Sequence, residues 1–230
     1  MVMKKVVVWI CLCAASVILL LFSEYYFIPL SLMFMIGFHE LGHLWTAKYL
    51  GIKTGGFYFI PAIGGAAIIE ELPQKRWHNF WIIFNGPLVG LGLTLILIVV
   101  NLFLNKQILW ATAFFWAAAN LFNLLAVNPL DGSKIVWSIV SDSSEYYLEK
   151  SLAYHVCKWI SLLIICSMSF LFAFLIMIFS DKERAFLIED WKRKDCYKEP
   201  MTHKQRCVAV VLFIALIASL VISAVITTYF

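Results

Sequence analysis

The chain has 230 residues, of which 63% are hydrophobic and 14% charged. An ordinary soluble domain is about 45–50% apolar and about 25% charged, and a water-soluble globule of this size cannot hide such an excess of apolar side chain. These proportions exclude a soluble domain and a disordered chain. The net charge of +4, spread over loops, suits anionic lipid surfaces and not nucleic acid.

Apolar runs of spanning length lie at about 6–22, 27–50, 80–104, 107–127, 157–180 and 207–230. Each can cross a hydrocarbon core about 30 Å thick as a helix, and the alternation needed by a membrane β-barrel is not seen. The predicted fold is an all-α membrane protein of about six transmembrane helices in a single domain, 1–230. Lys4 and Lys5 ahead of the first run resemble a signal peptide. The stretch Ser23–Tyr26 offers no small-x-small cleavage site, so a retained helix is expected. The six cysteines include no C-x-x-C. Cys11, Cys13, Cys157 and Cys166 sit in or beside apolar runs as small hydrophobes, and Cys196 and Cys207 could pair only in an oxidising compartment. Basic residues divide evenly between alternate connections; the first helix with Lys4 and Lys5 favours an N-inside orientation, the basic 181–206 loop argues against it, and charge alone does not settle the topology.

The second run contains His39-Glu40-Leu41-Gly42-His43, an H-E-x-x-H pattern inside a hydrophobic helix. Residues i and i+4 share a helix face, so both imidazoles can address one metal ion, with Glu40 placed to take a proton from water beside it. Chance would supply about 0.004 such matches in this composition. Two histidines and a carboxylate within a membrane helix are also expensive unless used or paired. A catalytic zinc takes three protein ligands and keeps a position open. Asp131, in Asn128-Pro129-Leu130-Asp131-Gly132, is the leading third donor, although that segment alone reads as a turn; Glu24 is the other candidate. Asn85 and Asn120 read as interhelical hydrogen-bond glue.

Several separated motifs point to a family. Phe38-His39-Glu40-Leu41-Gly42-His43, Pro61-Ala62-Ile63-Gly64-Gly65, Asn85-Gly86-Pro87-Leu88, and Asn120-Leu121-Phe122-Asn123 leading into Leu130-Asp131-Gly132 occur in order across residues 30–140. In this the chain resembles the site-2 proteases, intramembrane zinc metalloproteases. The resemblance implies one zinc ion held by His39, His43 and Asp131, with Glu40 as general acid/base. It also implies a small re-entrant or hairpin element after the zinc-binding helix, and Asn123, Gly64 and Gly65 as substrate-binding residues. The chain departs from the family pattern at Ala126, where proline is usual, at Ser133, where a second glycine is common, and at Gly90, where many members carry asparagine.

The function so implied is hydrolysis of a membrane-embedded protein or peptide within or near a transmembrane segment. The catalytic core would span about 27–180, flanked by helices 6–22 and 207–230 that gate lateral access. The protein would be a multi-pass protein of a bacterial cell membrane, with its active site toward the cytoplasm. The chain is too short for an attached PDZ or cystathionine-synthase-type module, so selectivity falls to helices, loops or a regulatory membrane partner. Two other readings compete. One is a non-cutting partner-binding or immunity protein on the same fold. The other is an ion transporter, disfavoured because no second copy of the histidine segment exists.

Overall fold

The structure is a computed structural model that describes residues 27–60, 64–69, 73–127, 130–140, 152–168 and 199–229. The described elements are α1 (Phe27–Tyr49), β1 (Thr54–Ile60), β2 (Gly64–Ile69), α2 (Arg76–Leu104), α3 (Gln107–Asn123), α4 (Asp131–Val140), α5 (Leu152–Met168) and α6 (His203–Thr228). Helices α1, α2 and α6 are long and apolar enough to cross a membrane, and they fall on three of the expected runs. The run at 6–22, Glu24 and Cys196 lie outside the described residues.

The described residues fall into two packing units. The first holds α1, the hairpin, α2 from Asn85, α3 to Asn120 and α6 from Ala218. Helix α1 stops where Gly51 takes φ 74°. The amide of Gly51 donates to the Lys48 carbonyl and that of Ile52 to the Ala47 carbonyl, both within 3.0 Å. This is the left-handed glycine cap that satisfies orphan helix carbonyls, and it turns the chain from the histidine helix into β1. The two strands pair antiparallel, with Ile60 opposite Gly64 and Thr54 opposite Ile69, and an irregularity between Thr54 and Gly56. Both strands pack against α1.

Helices α2 and α3 meet through a two-residue turn at Asn105 and Lys106. Asn105 adopts φ 47°, a conformation asparagine tolerates better than most residues. The Asn101 side chain brackets the turn, donating to the Lys106 carbonyl and accepting from the Lys106 amide. Ile98, Trp110 and Ala113 form the buried contact beside it. Helix α1 is joined to α3 by stacked Phe34 and Trp116 rings, and Trp116 Nε1 donates to Ser31 Oγ.

The second unit holds the start of α2 to Phe84, the chain from Leu121 through α4 and α5, and α6 to Ile217. Its core is built from Val127, Leu162 and Ile165, and Ser161 Oγ accepts the buried Ala126 amide. The Arg76 guanidinium lies 4.7 Å over the Trp137 ring, and Asn79 Nδ2 donates to Ser138 Oγ. Glu199 bonds main chain at both Gln74 and Arg76, which ties the approach to α6 to the start of α2.

Three expectations change here. The run expected as a helix over 107–127 ends at Asn123, and a further helix, unforeseen, begins at Asp131. Taken alone, the Asn-Pro-x-Asp-Gly segment reads as a turn; its Asp131 opens a helix. A carboxylate in a first turn faces the positive end of the helix dipole, so Asp131 serves as a helix-starting residue that turn statistics alone do not reveal. The fold is also not purely helical, since β1 and β2 pair as an antiparallel two-stranded sheet.

Candidate metal centre

Helix α1 puts His39 and His43 one turn apart, with ring centroids 5.0 Å apart and planes at 82°. Both are buried, at 5% and 6% exposure. Glu40 next to them is half-buried. His39 Nδ1 lies 3.1 Å from Asn120 Oδ1 on α3. Thr46, a turn beyond His43, bonds back to the Gly42 carbonyl and accepts from Asn85 Nδ2 on α2.

Helix α2 approaches this face through glycines. A Cβ on Gly42 would come within 2.7 Å of the Asn85 carbonyl oxygen. A Cβ on Gly86 would overlap Cε1 and Nε2 of His43 and stand 2.9 Å from Nε2 of His39. The motif glycine of α1 and the Gly-Pro glycine of α2 are thus spaces that let two backbones and two imidazoles coexist. Pro87, just beyond, has no N–H to return to the helix ladder.

Asp131 is held by its own segment. Asn123 Nδ2 donates to Asp131 Oδ2 at 2.7 Å, and the Asp131 amide donates to Asn123 Oδ1 at 3.3 Å. Lys134 Nζ lies 3.9 Å from Asp131 Oδ1. A Cβ on Gly132 would run into the carbonyls of Leu124 and Leu125, so the small residue after Asp131 lets the chain fold back on the segment that follows α3.

His39, His43 and Asp131 form a group able to hold a metal ion: each offers one ligand atom, and these atoms all lie within 4.8 Å of one another. Two imidazoles and one carboxylate, all buried, are a donor set that suits zinc with a position left open. The residues present therefore fit the ion that the motif implies.

Residues 27–109 match peptidase family M50. A zinc metalloprotease of Methanocaldococcus jannaschii is 29% identical over 55% of this chain and 38% of its own length. A chloroplastic protein of Arabidopsis thaliana, named a probable zinc metalloprotease, is 37% identical over 46% of this chain and 27% of its own length. The solved structure of the site-2 protease from Methanocaldococcus jannaschii aligns with a TM-score of 0.50 and 23% identity, covering 77% of this chain and 87% of that one. The chain resembles peptidase family M50 in sequence and the site-2 protease in fold. It covers less than two fifths of the length of either curated relative. The match in residues 27–109 takes in the histidine helix, the hairpin and α2, and Asp131 lies beyond it.

The expected site residues divide in three. His39, His43 and Asp131 come together, with Glu40 beside them in sequence. Asn123, expected to touch substrate, has both ends of its amide bonded to Asp131. Gly64 and Gly65 open β2, opposite Ile60 and Phe59. Asn120, read as interhelical glue, is more specific than that because its partner is a metal-site histidine. Asn120 and Asn123 stand three apart on α3 and so share a face, a spacing that does not tell support of a ligand from interhelical glue.

Proposed function

We propose that this chain is an intramembrane zinc endopeptidase that hydrolyses a peptide bond within or near a transmembrane segment of a membrane-bound substrate. The observation that carries this is the convergence of His39, His43 and Asp131 ligand atoms within 4.8 Å, with a half-buried carboxylate, Glu40, next to His39 on the same helix. These three residues would hold one zinc ion. Zinc there supplies Lewis acidity, both to water and to the scissile carbonyl.

Glu40 accepts a proton from the attacking water and returns it to the leaving amine. The carbonyl carbon gains the water oxygen, the C–N bond breaks, and a carboxylate and an amine leave. Asn123 holds Asp131 through two hydrogen bonds and so fixes the direction of that carboxylate. Asp131→Ala removes one of the three metal donors and should lower metal affinity.

A peptide bond inside a transmembrane helix is shielded and already hydrogen-bonded, so the substrate must unwind before attack. The two-stranded hairpin packed on α1 offers an edge to which an extended segment can add by main-chain hydrogen bonds. Gly64 and Gly65 allow that segment close approach. The remaining features follow the same reading: six spans, an N-terminus inside, an active site toward the cytoplasm of a bacterial cell, and selectivity aided by a membrane partner.

The test compares membrane peptides from cells carrying the native protein with those from cells carrying Glu40→Gln. Loss of the base is expected to lower cleavage by about 10²–10⁴-fold while zinc binding by the purified variant stays native. Fragments ending within a transmembrane segment should appear with the native protein alone. Full cleavage by Glu40→Gln would refute the mechanism. Identical peptide profiles, with both proteins stably present and the biological phenotype unchanged, would identify a non-cutting partner-binding protein.

A further inference from the structure

Asn120 on α3 is buried to 1% exposure, and its contacts define what its amide can do. Nδ2 donates to the Trp116 carbonyl at 2.9 Å and to Met35 Sδ at 3.3 Å. Both partners are acceptors with no proton to give, so turning the amide over would forfeit both bonds. Oδ1 therefore faces His39 Nδ1, at 3.1 Å. An amide oxygen only accepts, so the proton between them belongs to His39 Nδ1. In a neutral ring this leaves Nε2 unprotonated.

Helix α2 makes room for this arrangement. A Cβ on Gly90 would overlap Asn120 Oδ1 and stand 2.6 Å from its Cγ. Gly86, one turn earlier and on the same face, is the glycine whose Cβ would press on Nε2 of both histidines. One face of α2 thus clears both the metal-directed atoms and the amide that sets their chemistry. Gly90 is also a position where this chain departs from the family pattern.

We propose that Asn120 is a positioning residue for the metal centre. By accepting the Nδ1 proton it selects the tautomer and ring plane of His39, and Gly90 sets the distance at which it does so. This rests on the reading of His39 as a zinc ligand. An imidazole without such a partner divides its time between tautomers, one of which carries its proton on Nε2 and cannot bind metal there. Supporting partners of this kind are worth about 10–100-fold in metal affinity.

The acceptor role can be separated from mere packing by two substitutions of similar shape. Asn120→Asp keeps an oxygen for His39 Nδ1 and loses the amide donor, whereas Asn120→Leu loses both. The experiment uses the full chain in detergent micelles. Zinc affinity is read by chelator competition, the ligand field by the visible spectrum of the cobalt-loaded protein, and folding by melting of the metal-free protein. Asn120→Leu should bind zinc about 10–100-fold more weakly with an altered cobalt spectrum. Asn120→Asp should stay within about threefold of native with a native-like spectrum. Gly90→Ala, which displaces the amide without removing it, should weaken binding and carries the test if Asn120→Leu does not fold.

Native zinc affinity in Asn120→Leu, or equal loss in Asn120→Leu and Asn120→Asp, would overturn the inference; the second result would assign the role to the Nδ2 contacts. Native binding abolished by His39→Ala but untouched by folded Asn120→Leu would refute this inference and leave the metal site standing. A native protein that binds no zinc would overturn both.

Discussion

Adding one methyl group at Gly86 should disable the metal centre. The new Cβ would overlap Cε1 and Nε2 of His43 and stand 2.9 Å from Nε2 of His39. Non-bonded heavy atoms settle near about 3.5 Å, so either the imidazoles or the helix must retreat on the order of 1 Å. Ligand distances in a working metal site are held to within about 0.2 Å, so retreat of the rings removes them from bonding range. Retreat of α2 is opposed by the 2.6 Å bond from Asn85 to Thr46, which it would stretch. The rings therefore give way, and Gly86→Ala should lower zinc affinity by at least about tenfold, the lower end of what losing a mere supporting partner does. Any share taken by the helix would appear as about 1–3 kcal/mol of overpacking.

The control for this substitution is Gly92→Ala, on the same helix, where a Cβ meets nothing within 4 Å. Both variants gain about 1 kcal/mol in helix propensity, so their difference isolates the overlap. Chelator competition in micelles, with melting of the metal-free proteins alongside, measures both channels. If Gly86→Ala matched Gly92→Ala in zinc affinity and in melting, the argument that α2 is pressed against the histidines would be wrong.

Two further outcomes follow from the same structure. Asn123→Leu removes the Nδ2 donor to Asp131 Oδ2 and the acceptor for the Asp131 amide; zinc affinity should fall about 10–100-fold, and unchanged affinity in chelator competition would return Asn123 to a purely substrate-binding role. Gly51→Ala places a Cβ at φ 74° in the cap between α1 and β1, and should destabilise the protein by about 1–2 kcal/mol. Gly51→Asn should lose less, and equal melting of the two variants would refute the cap.

How far the site was legible depended on how local each relation is. The pairing of His39 with His43 needs only the period of one helix, since residues four apart share a face in any α-helix. The apolar lengths of α1, α2 and α6 likewise follow from the sequence, because crossing a membrane is a demand on one segment at a time. The hairpin element was expected from the family resemblance, and Asp131 as third ligand both from that resemblance and from the break at Pro129 and Gly132.

What composition and period could not supply lies between segments. Asn120 meets His39 across 81 positions of chain, and nothing in its neighbours separates an asparagine that bonds a ligand from one that joins two helices. Asp131 looked like part of a turn because Pro129 and Gly132 flank it; packing of Gly132 against the carbonyls of Leu124 and Leu125 makes the residue a helix start instead. Gly86 and Gly90 read as ordinary small residues until the imidazoles and the amide occupied the space their missing side chains leave. The sequence alone determined which side chains can bind a metal and which helix presents two of them. Only the tertiary structure decided what holds those side chains in place, because hydrogen-bond direction and excluded volume depend on distances between segments that are remote in the chain.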